Sequence, residues 1–428
     1  MGSQVSAGYP DLNVPAAQRR IVGTLVSAQV LSGVGMASGI AVGALLAEEL
    51  SGSESLAGLG TTFQVLGGAL IAIPLARIMA TRGRGPGLQF GYALAIAGSL
   101  IVMASALVGN FPLMLVGMLL FGGGTASNAQ ARFAAADLAQ EIHRGRDLSI
   151  VVWATTIGSV VGPNLIGPGG ALGRAVGIPP LAGSFLFSLA AFLLALTVIR
   201  KLLKPDPLLV SRALARKESA SDEEDSDGSL TRGLKVLLAK REALVGTLTV
   251  ALGHVVMVGI MVMTPIHMKH GDSGLGLIGV VLSVHVAGMY ALSPLVGLAV
   301  DRWGGRVVAG TGGLTLAVAV VMAALSEAGW SALLLVALLL LGVGWSGTFV
   351  AGSTTLTAAV EPDERPAVQG LTEVVMGVMA ASGAAAAGFV MEKFQFGALG
   401  FGAGTVSVLI IVLSAISGRN GSRADGSS

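Results

Sequence analysis

Cysteine is absent from this chain of 428 residues, which excludes disulfide bonds and thiolate chemistry. Charge is also scarce: Asp, Glu, Lys and Arg make up 12% of the residues, about half of the roughly 25% found in soluble domains. Hydrophobic residues make up 53%, and the mean hydropathy is +0.80. This scarcity of charge leaves too little polar surface for a water-soluble fold, so we expect an integral membrane protein.

The apolar residues stand in long blocks without charge. Ile21–Leu46 alone exceeds the roughly 20 residues that a helix needs to cross the hydrocarbon core. Charged or turn-rich breaks divide the chain into twelve such segments, so the sequence predicts an all-α integral membrane protein with twelve transmembrane helices. Their limits are Ile21–Leu46, Leu56–Met79, Gly87–Val108, Pro112–Leu138, Leu148–Gly167, Leu181–Ile199, Leu244–Met268, Leu275–Val300, Val307–Ser326, Trp330–Ala359, Gln369–Val390 and Ala398–Ile416.

Lysine and arginine are unevenly distributed over the predicted loops. Loops rich in them alternate with loops that contain only Arg174, Lys269 and Lys393. Because Lys- and Arg-rich loops stay in the cytoplasm, we expect a multi-pass protein of the cell (plasma) membrane with both termini cytoplasmic. The rich set comprises Arg19, Arg20, Arg82, Arg84, Arg144, Arg146, Arg200, Lys201, Arg302, Arg306, Arg365 and Arg419.

The strongest break in composition lies at Lys204–Arg241, between the sixth and seventh segments. Its acidic tract ESASDEEDSDGS is too polar to bury and predicts a disordered linker. Leucines at helical spacing follow among basic residues and predict a short amphipathic helix on the cytoplasmic membrane face; they are Leu230, Leu234, Leu237 and Leu238. The predicted parts are a cytoplasmic tail (1–20), a six-helix half (21–203), a cytoplasmic linker (204–241), a second six-helix half (242–417) and a cytoplasmic tail (418–428).

The two halves carry related segments at the end of their second helix. PLARIMATRGRGPG (Pro74–Gly87) has its counterpart in PLVGLAVDRWGGRV (Pro294–Val307). The second copy, with Asp301 followed by Arg302, resembles the signature Gly-x-x-x-Asp-Arg-x-Gly-Arg-Arg of the major facilitator superfamily, found after the second and eighth helices. In the first copy an alanine or a threonine, depending on the register, replaces the aspartate.

This resemblance covers nearly the whole chain. It implies two pseudo-symmetric six-helix halves with a site near the middle of the membrane, and transport by alternating access as the halves rock about that site. It also implies a cytoplasmic gate at the loops after the second and eighth helices, in which an acid at the end of the fourth helix, here Asp137, pairs with Arg82 or Arg84. The gate residues are Arg82, Arg84, Asp137, Asp301, Arg302 and Arg306.

The fifth predicted helix contains the residues that usually break helices, in GSVVGPNLIGPGG. Gly158 and Gly162 form a small-x-x-x-small pair that lets a neighbouring helix approach closely, and Asn164 is one group that can satisfy a carbonyl freed by Pro163. The alternative is that the stretch simply ends the helix. We expect GPGGALGRAVGIPP, beyond Gly167, to be an exit loop. The pair and Pro163 resemble the fifth-helix motif of drug:proton antiporters in the superfamily, which implies a seal of the fifth helix against the eighth.

The antiporter resemblance is incomplete. The final Gly-Gly of that motif is Ile166-Gly167 here, and the fourth-helix motif Arg-x-x-Gln-Gly fails, with Met118 and Phe121 in place of its arginine and glutamine. Export is therefore favoured over import without being settled by these motifs.

Few ionisable residues fall within the predicted spans, and such residues are functional candidates. Arg132 and Asp137 lie five residues apart, about 140° around a helix, so they do not share a face. Arg132 instead shares its face with Asn128, which is a further candidate for coupling or for lining a cavity. We hypothesise that Arg132 meets Glu373 of the eleventh helix and closes the cytoplasmic side; the alternative is that its head group extends to the interface.

Two histidines lie near mid-depth. His254 and His285 are candidates for proton carriers, because histidine changes charge near physiological pH; the alternative is that each is a satisfied polar core residue. Gln29, Asn164 and Trp345 are candidates for lining a cavity, with packing as the alternative.

The leading prediction is a secondary transporter, a proton-coupled exporter of small amphipathic or apolar compounds. The alternatives are an importer or facilitator of a small metabolite on the same fold and a non-transporting membrane sensor. GLGLIG (Gly274–Gly279) matches a dinucleotide fingerprint but opens a membrane helix, where the fingerprint has no meaning. We expect no enzyme activity, no cofactor, no metal and no nucleic acid; the expected partners are a small-molecule substrate, protons and the lipid bilayer, with the chain acting as a monomer.

Overall fold

The structure is a computed structural model that describes residues 13–139, 141–218, 230–361 and 364–418. These residues form helices and no strand, so the predicted all-α class is confirmed. A short 3₁₀ helix, Glu54–Leu56, joins the first two α-helices. The α-helices are α1 Val14–Ser51, α2 Leu59–Arg82, α3 Arg84–Val108, α4 Phe111–Ala136, α5 Glu141–Asn164, α6 Ile166–Ala175, α7 Ser184–Leu202, α8 Pro207–Glu218, α9 Leu230–Ala239, α10 Arg241–His270, α11 Leu275–Tyr290, α12 Ser293–Trp303, α13 Gly305–Ala324, α14 Ala332–Ala359 and α15 Arg365–Gly418.

Within the described residues, ten helical stretches are long and apolar enough to cross a membrane, against the twelve predicted. One of them, Ala367–Ile416, has 50 residues, about 75 Å of helix and more than twice the thickness of a hydrocarbon core. Its backbone leaves the helical region at Gln395, where φ is 67° and ψ is 172°. Helix α5 is not among the ten, because it opens with the charged stretch EIHRGRD and ends at Pro163-Asn164.

The exit loop predicted beyond Gly167 is wrong. Helix α5 ends at Asn164, and the chain re-enters a helix at Ile166 that continues to Ala175. Pro168 does not prevent this helix because it lies in the first turn, where backbone N–H groups have no intrahelical partner. The predicted fifth helix, Leu148–Gly167, is therefore two helices with a break at Leu165.

Helix α1 begins earlier and ends later than the predicted Ile21–Leu46. The early start has a packing reason: Gln18 is 8% exposed, and its Nε2 donates to Ala135 O and to Asp147 Oδ2, both at 2.7 Å. These two hydrogen bonds satisfy the buried amide nitrogen of Gln18, whereas its Oε1 has no partner among the described residues. The predicted start at Ile21 was based on hydropathy alone, which does not take hydrogen bonds of polar side chains into account.

The chain divides into two compact units. The first comprises Met1–Ile40 and Leu66–Asp225, and the second comprises Ala41–Val65 and Ser226–Ser428. The end of α1 and the start of α2 thus belong to the second unit, although they precede the linker in sequence.

In the first unit, α5 packs closely on α1. A Cβ atom on Gly158 would lie 2.6 Å from Val34 N and one on Gly162 would lie 2.8 Å from Ser38 N, so neither position has room for a side chain. Lipid supplies no hydrophobic force between helices, and close approach of backbones replaces it. Gly158 and Gly162 of α5 therefore form a contact surface for α1.

Aromatic rings fill the core of the first unit. Phe121 of α4 meets the rings of Phe185 and Phe192 edge-on at centroid distances of 5.5 and 5.4 Å. Tyr92 of α3 stacks on Phe192 at 6.3 Å. These four large side chains are fully buried, and they connect α3, α4 and α7.

The predicted linker contains two helices, and its acidic tract at 219–229 lies outside the described residues, as do 1–12 and 419–428 of the predicted tails. Helix α9 occupies the position predicted to be amphipathic. Leu237 is 3% exposed and packs with Leu356, Val360 and Val368, whereas Leu238 is 69% exposed. Helix α9 therefore buries Leu237 in the second unit, whereas Leu238 remains exposed.

We predict that Gly158→Val lowers the free energy of unfolding by about 1–3 kcal/mol, because overpacking forces α1 and α5 apart. The measurement is thermal denaturation in detergent, monitored by tryptophan fluorescence. Gly259→Val is the matched control, since no heavy atom lies within 4 Å of a Cβ built there. Equal melting temperatures for the two variants would contradict the proposed contact.

Candidate functional site

Four uncharged side chains from α1, α3 and α4 form a hydrogen-bonded cluster with α5 in the first unit. Ser32 Oγ donates to Asn128 Oδ1 at 2.6 Å, and Tyr92 OH donates to the same oxygen at 3.3 Å. Gln29 Nε2 donates to Thr155 Oγ1 of α5 at 3.0 Å. We refer to Gln29, Ser32, Tyr92, Asn128 and Thr155 as the neutral cluster. It brings together the two cavity candidates Gln29 and Asn128.

The neutral cluster holds an unused acceptor. Gln29 is 2% exposed, and its Oε1 has no hydrogen-bond partner among the described residues. A buried acceptor without a donor costs about 1–3 kcal/mol. A ligand or a water with an N–H or O–H group would recover that cost at this position.

Arg132 lies one helical turn beyond Asn128 on α4. It is half-buried, and its guanidinium carbon lies 5.0 Å from the ring centroid of Phe133. Glu373 is exposed on α15 and belongs to the second unit. The pairing of Arg132 with Glu373 stays a prediction.

The predicted gate residues of the first unit centre on Arg84, at the start of α3. Its Nε and Nη2 donate to the two carboxylate oxygens of Asp137 at 2.8 and 3.0 Å, and its Nη1 donates to Gln130 Oε1 at 3.3 Å. The side chains of Arg84 and Asp137 are only 16% and 12% exposed. Hydrogen bonds in bidentate, charge-assisted pairs of this kind are roughly twice as strong as hydrogen bonds between neutral groups. Arg82, the other partner considered, is exposed.

Asp206, which sequence reasoning missed, joins this group from the loop before α8. One carboxylate oxygen accepts from Gly85 N at 2.7 Å, and the other accepts from Leu208 N at 3.1 Å. Asp206 therefore satisfies the first N–H groups of both α3 and α8. The signal in the sequence is an aspartate directly before a proline, Asp206-Pro207, which is a common helix start.

The second-unit gate residues lie at the α12–α13 junction. Arg306 Nη2 lies 3.1 Å from Glu242 Oε1, and Asp301 and Arg302 are exposed. A cavity of about 750 Å³ opens beside them. It is lined by Lys240, Arg241, Glu242, Trp303, Gly304, Gly305, Arg306, Val307, Thr354, Thr355, Ala358 and Ala359.

In the second unit, Trp345 contacts the rings of His254, Tyr290 and Phe349. Trp345 Nε1 donates to His254 Nδ1 at 2.9 Å, which assigns the proton of a neutral His254 to Nε2. Phe349 stacks on Trp345 at 4.9 Å, and Tyr290 meets it edge-on at 5.7 Å. Trp345 is 5% exposed, while the other three are half-buried. We refer to these four residues as the aromatic cluster.

His285 has a different setting. It is fully buried on α11, and its Nδ1 donates to Leu338 O at 2.9 Å. Its Nε2 has no partner among the described residues. The structure thus places His254 beside Trp345 and His285 inside the helix packing, and proton transfer by either histidine stays a prediction.

At the α5 break, Asn164 Nδ2 donates to Val160 O at 3.0 Å. Ser38 Oγ of α1 approaches Gly162 O at 3.3 Å. Side chains therefore satisfy carbonyls around Pro163, as expected where a helix breaks at membrane depth.

Comparison with known proteins identifies the family. The sequence profile of the Major Facilitator Superfamily matches residues 25–284 and 273–424. The uncharacterized MFS-type transporter YddS of Bacillus subtilis (strain 168) is 37% identical over 387 residues, 90% of this chain and 88% of YddS. The riboflavin transporter RfnT of Brucella anthropi is 26% identical over 366 residues, 84% of this chain and 86% of RfnT.

Among solved structures, the fold is similar to the xylose transporter XylE from E. coli in a partially occluded inward open conformation. The TM-score is 0.68 at 13% sequence identity, over 93% of this chain and 97% of XylE. At that identity the similarity shows the fold alone. The family profile and the relative from Bacillus subtilis together show that the chain belongs to the major facilitator superfamily of secondary transporters.

Proposed function

We propose that this transporter exchanges protons for a small, uncharged organic compound and exports it across the plasma membrane. The observation that carries the proposal is the neutral cluster, in which a buried acceptor, Gln29 Oε1, stands among side chains without charge. An uncharged cluster favours an uncharged ligand, since a charged one would lose its hydration without gaining a counter-ion.

The proposed direction of transport, export, is based on the motif in α5. Gly158, Gly162 and Pro163 are similar to the antiporter motif, and the close α1–α5 packing gives these residues a structural use. The resemblance is incomplete, so import or facilitated diffusion of a small metabolite is the second candidate.

The aromatic cluster narrows the substrate class to flat heteroaromatic compounds. Trp345 and Phe349 already stack with planes 19° apart, and aromatic faces attract further rings with donor or acceptor edges. The relative RfnT is named a riboflavin transporter. Riboflavin is therefore the first compound to test here.

We propose twelve spans with both termini in the cytoplasm and a monomeric chain. The count follows if α5 crosses the membrane and if the kink at Gln395 divides α15 into two spans, which adds two to the ten apolar stretches.

The gate residues of both units would then lie on the cytoplasmic side. In this proposal Arg132 and Glu373 pair during closure, and His254 and His285 are the candidates for proton transfer.

The direct test is transport into proteoliposomes with an imposed pH gradient. We predict that riboflavin, or another flat uncharged heteroaromatic compound, enters vesicles with an acidic lumen, because outgoing protons are exchanged for incoming substrate. Empty liposomes and a permanently cationic dye are the controls. Uptake that requires an acidic exterior would contradict antiport and establish proton symport, the importer alternative.

We predict that Trp345→Leu raises the apparent KM by roughly 2- to 13-fold, which corresponds to about 0.5–1.5 kcal/mol of aromatic contact. Trp330→Leu is the matched control, because Trp330 is 52% exposed and lies outside the aromatic cluster. The measurement is initial uptake rate against substrate concentration. If both variants had the KM of the parent protein, the aromatic cluster would not be part of the substrate site.

We predict that Arg84→Gln lowers the transport rate by roughly 5- to 150-fold, the equivalent of about 1–3 kcal/mol for a buried charged group that loses its partner. Asp137→Asn should have the same effect. Arg20→Gln, at an exposed position outside the predicted gate, is the control and should stay within twofold of the parent, a margin of about 0.4 kcal/mol. A fully active Arg84→Gln variant would exclude this pair from the gate.

A further inference from the structure

The cavity of about 750 Å³ at the α12–α13 junction has a cationic lining. Three of its side chains are basic, Lys240, Arg241 and Arg306, and one, Glu242, is acidic. We refer to the three basic residues and Trp303, with the space between them, as the basic cavity. All of it belongs to the second unit. A concave surface lined mainly by one sign of charge attracts ligands of the opposite sign, so the basic cavity favours an anion.

The three cations differ in how far they are already neutralised. Lys240 Nζ lies 2.6 Å from Glu364 Oε2. Arg306 Nη2 lies 3.1 Å from Glu242 Oε1, but both of these side chains are more than a third exposed, so the pair is weak. Arg241 is exposed and has no ion-pair partner among the described residues. Arg241 and Arg306 are therefore the cations that an anionic ligand can engage.

Two helix N-termini border the same cavity. Helix α10 begins at Arg241 and α13 begins at Gly305, and in neither case does the side chain of the N-cap residue cap the first turn. The first N–H groups of a helix have no intrahelical partner and carry partial positive charge. They add to the attraction for an anion that the basic side chains produce.

The edge of the basic cavity is apolar. Trp303 is 60% exposed and Val307 is 53% exposed, although both line the cavity. Beyond Val307, exposed apolar side chains follow on one face of α13 at Leu314, Val318 and Val321, because these spacings are close to whole helical turns. A basic site that continues into an apolar stripe fits a phospholipid, in which the phosphate is joined to acyl chains. A free phosphate ion would gain nothing from the stripe.

Helix α9, directly before Lys240, exposes the same combination of side chains. Leu234 and Leu238, one helical turn apart, are exposed, and so is Lys235. Exposed leucines beside lysine are typical of helices that lie on a membrane surface with anionic lipids. The chain therefore leads from a membrane-surface helix directly into the basic cavity.

We propose that the basic cavity binds one anionic phospholipid, with Arg241 and Arg306 on the phosphate and Trp303 between the head group and the acyl chains. Tryptophan is enriched at this depth of a membrane. The phosphate takes the place of Glu242 on Arg306, and an acyl chain lies along the exposed face of α13. This lipid site is separate from the neutral and aromatic clusters and does not depend on the transported compound.

Native mass spectrometry of the full chain in detergent tests the lipid preference. We expect the protein to retain one phosphatidylglycerol molecule in preference to phosphatidylcholine with the same acyl chains. Arg241→Gln should weaken phosphatidylglycerol binding by roughly fivefold, the effect of one basic residue near an anionic surface, whereas Arg241→Lys should bind as the parent does. Arg200→Gln, at an exposed position outside the cavity, is the matched control and should leave binding unchanged.

Inorganic phosphate distinguishes a lipid site from a site for a free anion. Added in large excess, it should leave the phosphatidylglycerol bound; complete displacement would overturn the lipid proposal in favour of a free phosphate. Equal retention of the two lipids by the parent would also overturn it. So would parent-like binding by an Arg241→Gln protein whose melting temperature shows that it is folded.

Tryptophan fluorescence locates the bound lipid. Phosphatidylglycerol with brominated acyl chains should quench the parent more than brominated phosphatidylcholine does, because bromine quenches tryptophan only at close range. Trp303→Phe should abolish this difference, while the exposed Trp153 and Trp330 still report contact with either lipid. The same difference in a folded Trp303→Phe protein would exclude the basic cavity. Neither measurement uses a substrate or a pH gradient, so the lipid site and the proposed transport function fail separately.

Discussion

The hydrocarbon interior of the bilayer tolerates almost no unpaired charge, and the other features of this protein follow from that constraint. With 12% charged residues, the chain places its documented ion pairs near helix ends: Arg84 with Asp137 at the α2–α3 junction, and Glu48 with Lys269 near the ends of α1 and α10. In the first unit, the neutral cluster lies away from these ion pairs, and its side chains are bound to one another by hydrogen bonds. The predicted gate residues are thus charged, whereas the proposed substrate contacts in this unit are uncharged.

The hydrocarbon interior of the bilayer also removes the hydrophobic force between helices. Packing of one helix on another therefore depends on close approach of their backbones. Gly158 and Gly162 bring α5 onto α1 within the first unit, and Gly58 and Gly388 bring the connection between α1 and α2 onto α15 within the second unit. At the second contact, Glu392 of α15 also accepts hydrogen bonds from Ser53 Oγ and Ser55 N.

Much of the fold follows from hydropathy, because a membrane helix must be long, apolar and internally hydrogen-bonded. The signature loops also place Arg84 near Asp137, although only the structure selects Arg84 over Arg82. The helix at Ile166–Ala175 was not predicted, because a proline such as Pro168 is taken to end a helix unless it is known to lie in the first turn. Asp206 and Glu392 act through partners that are 121 and 339 residues away, and no local pattern encodes such a partner.

Under the proposed alternating access, the charged contacts at the α2–α3 junction and near the end of α1 close alternately. Distances between spin labels on the cysteine-free chain measure this directly, with one pair at Arg82→Cys and Arg302→Cys and another at Glu49→Cys and Lys393→Cys, all exposed positions. On addition of substrate under a pH gradient, the account predicts that one distance increases while the other decreases. Distances that change together, or that stay constant while transport proceeds, would contradict it.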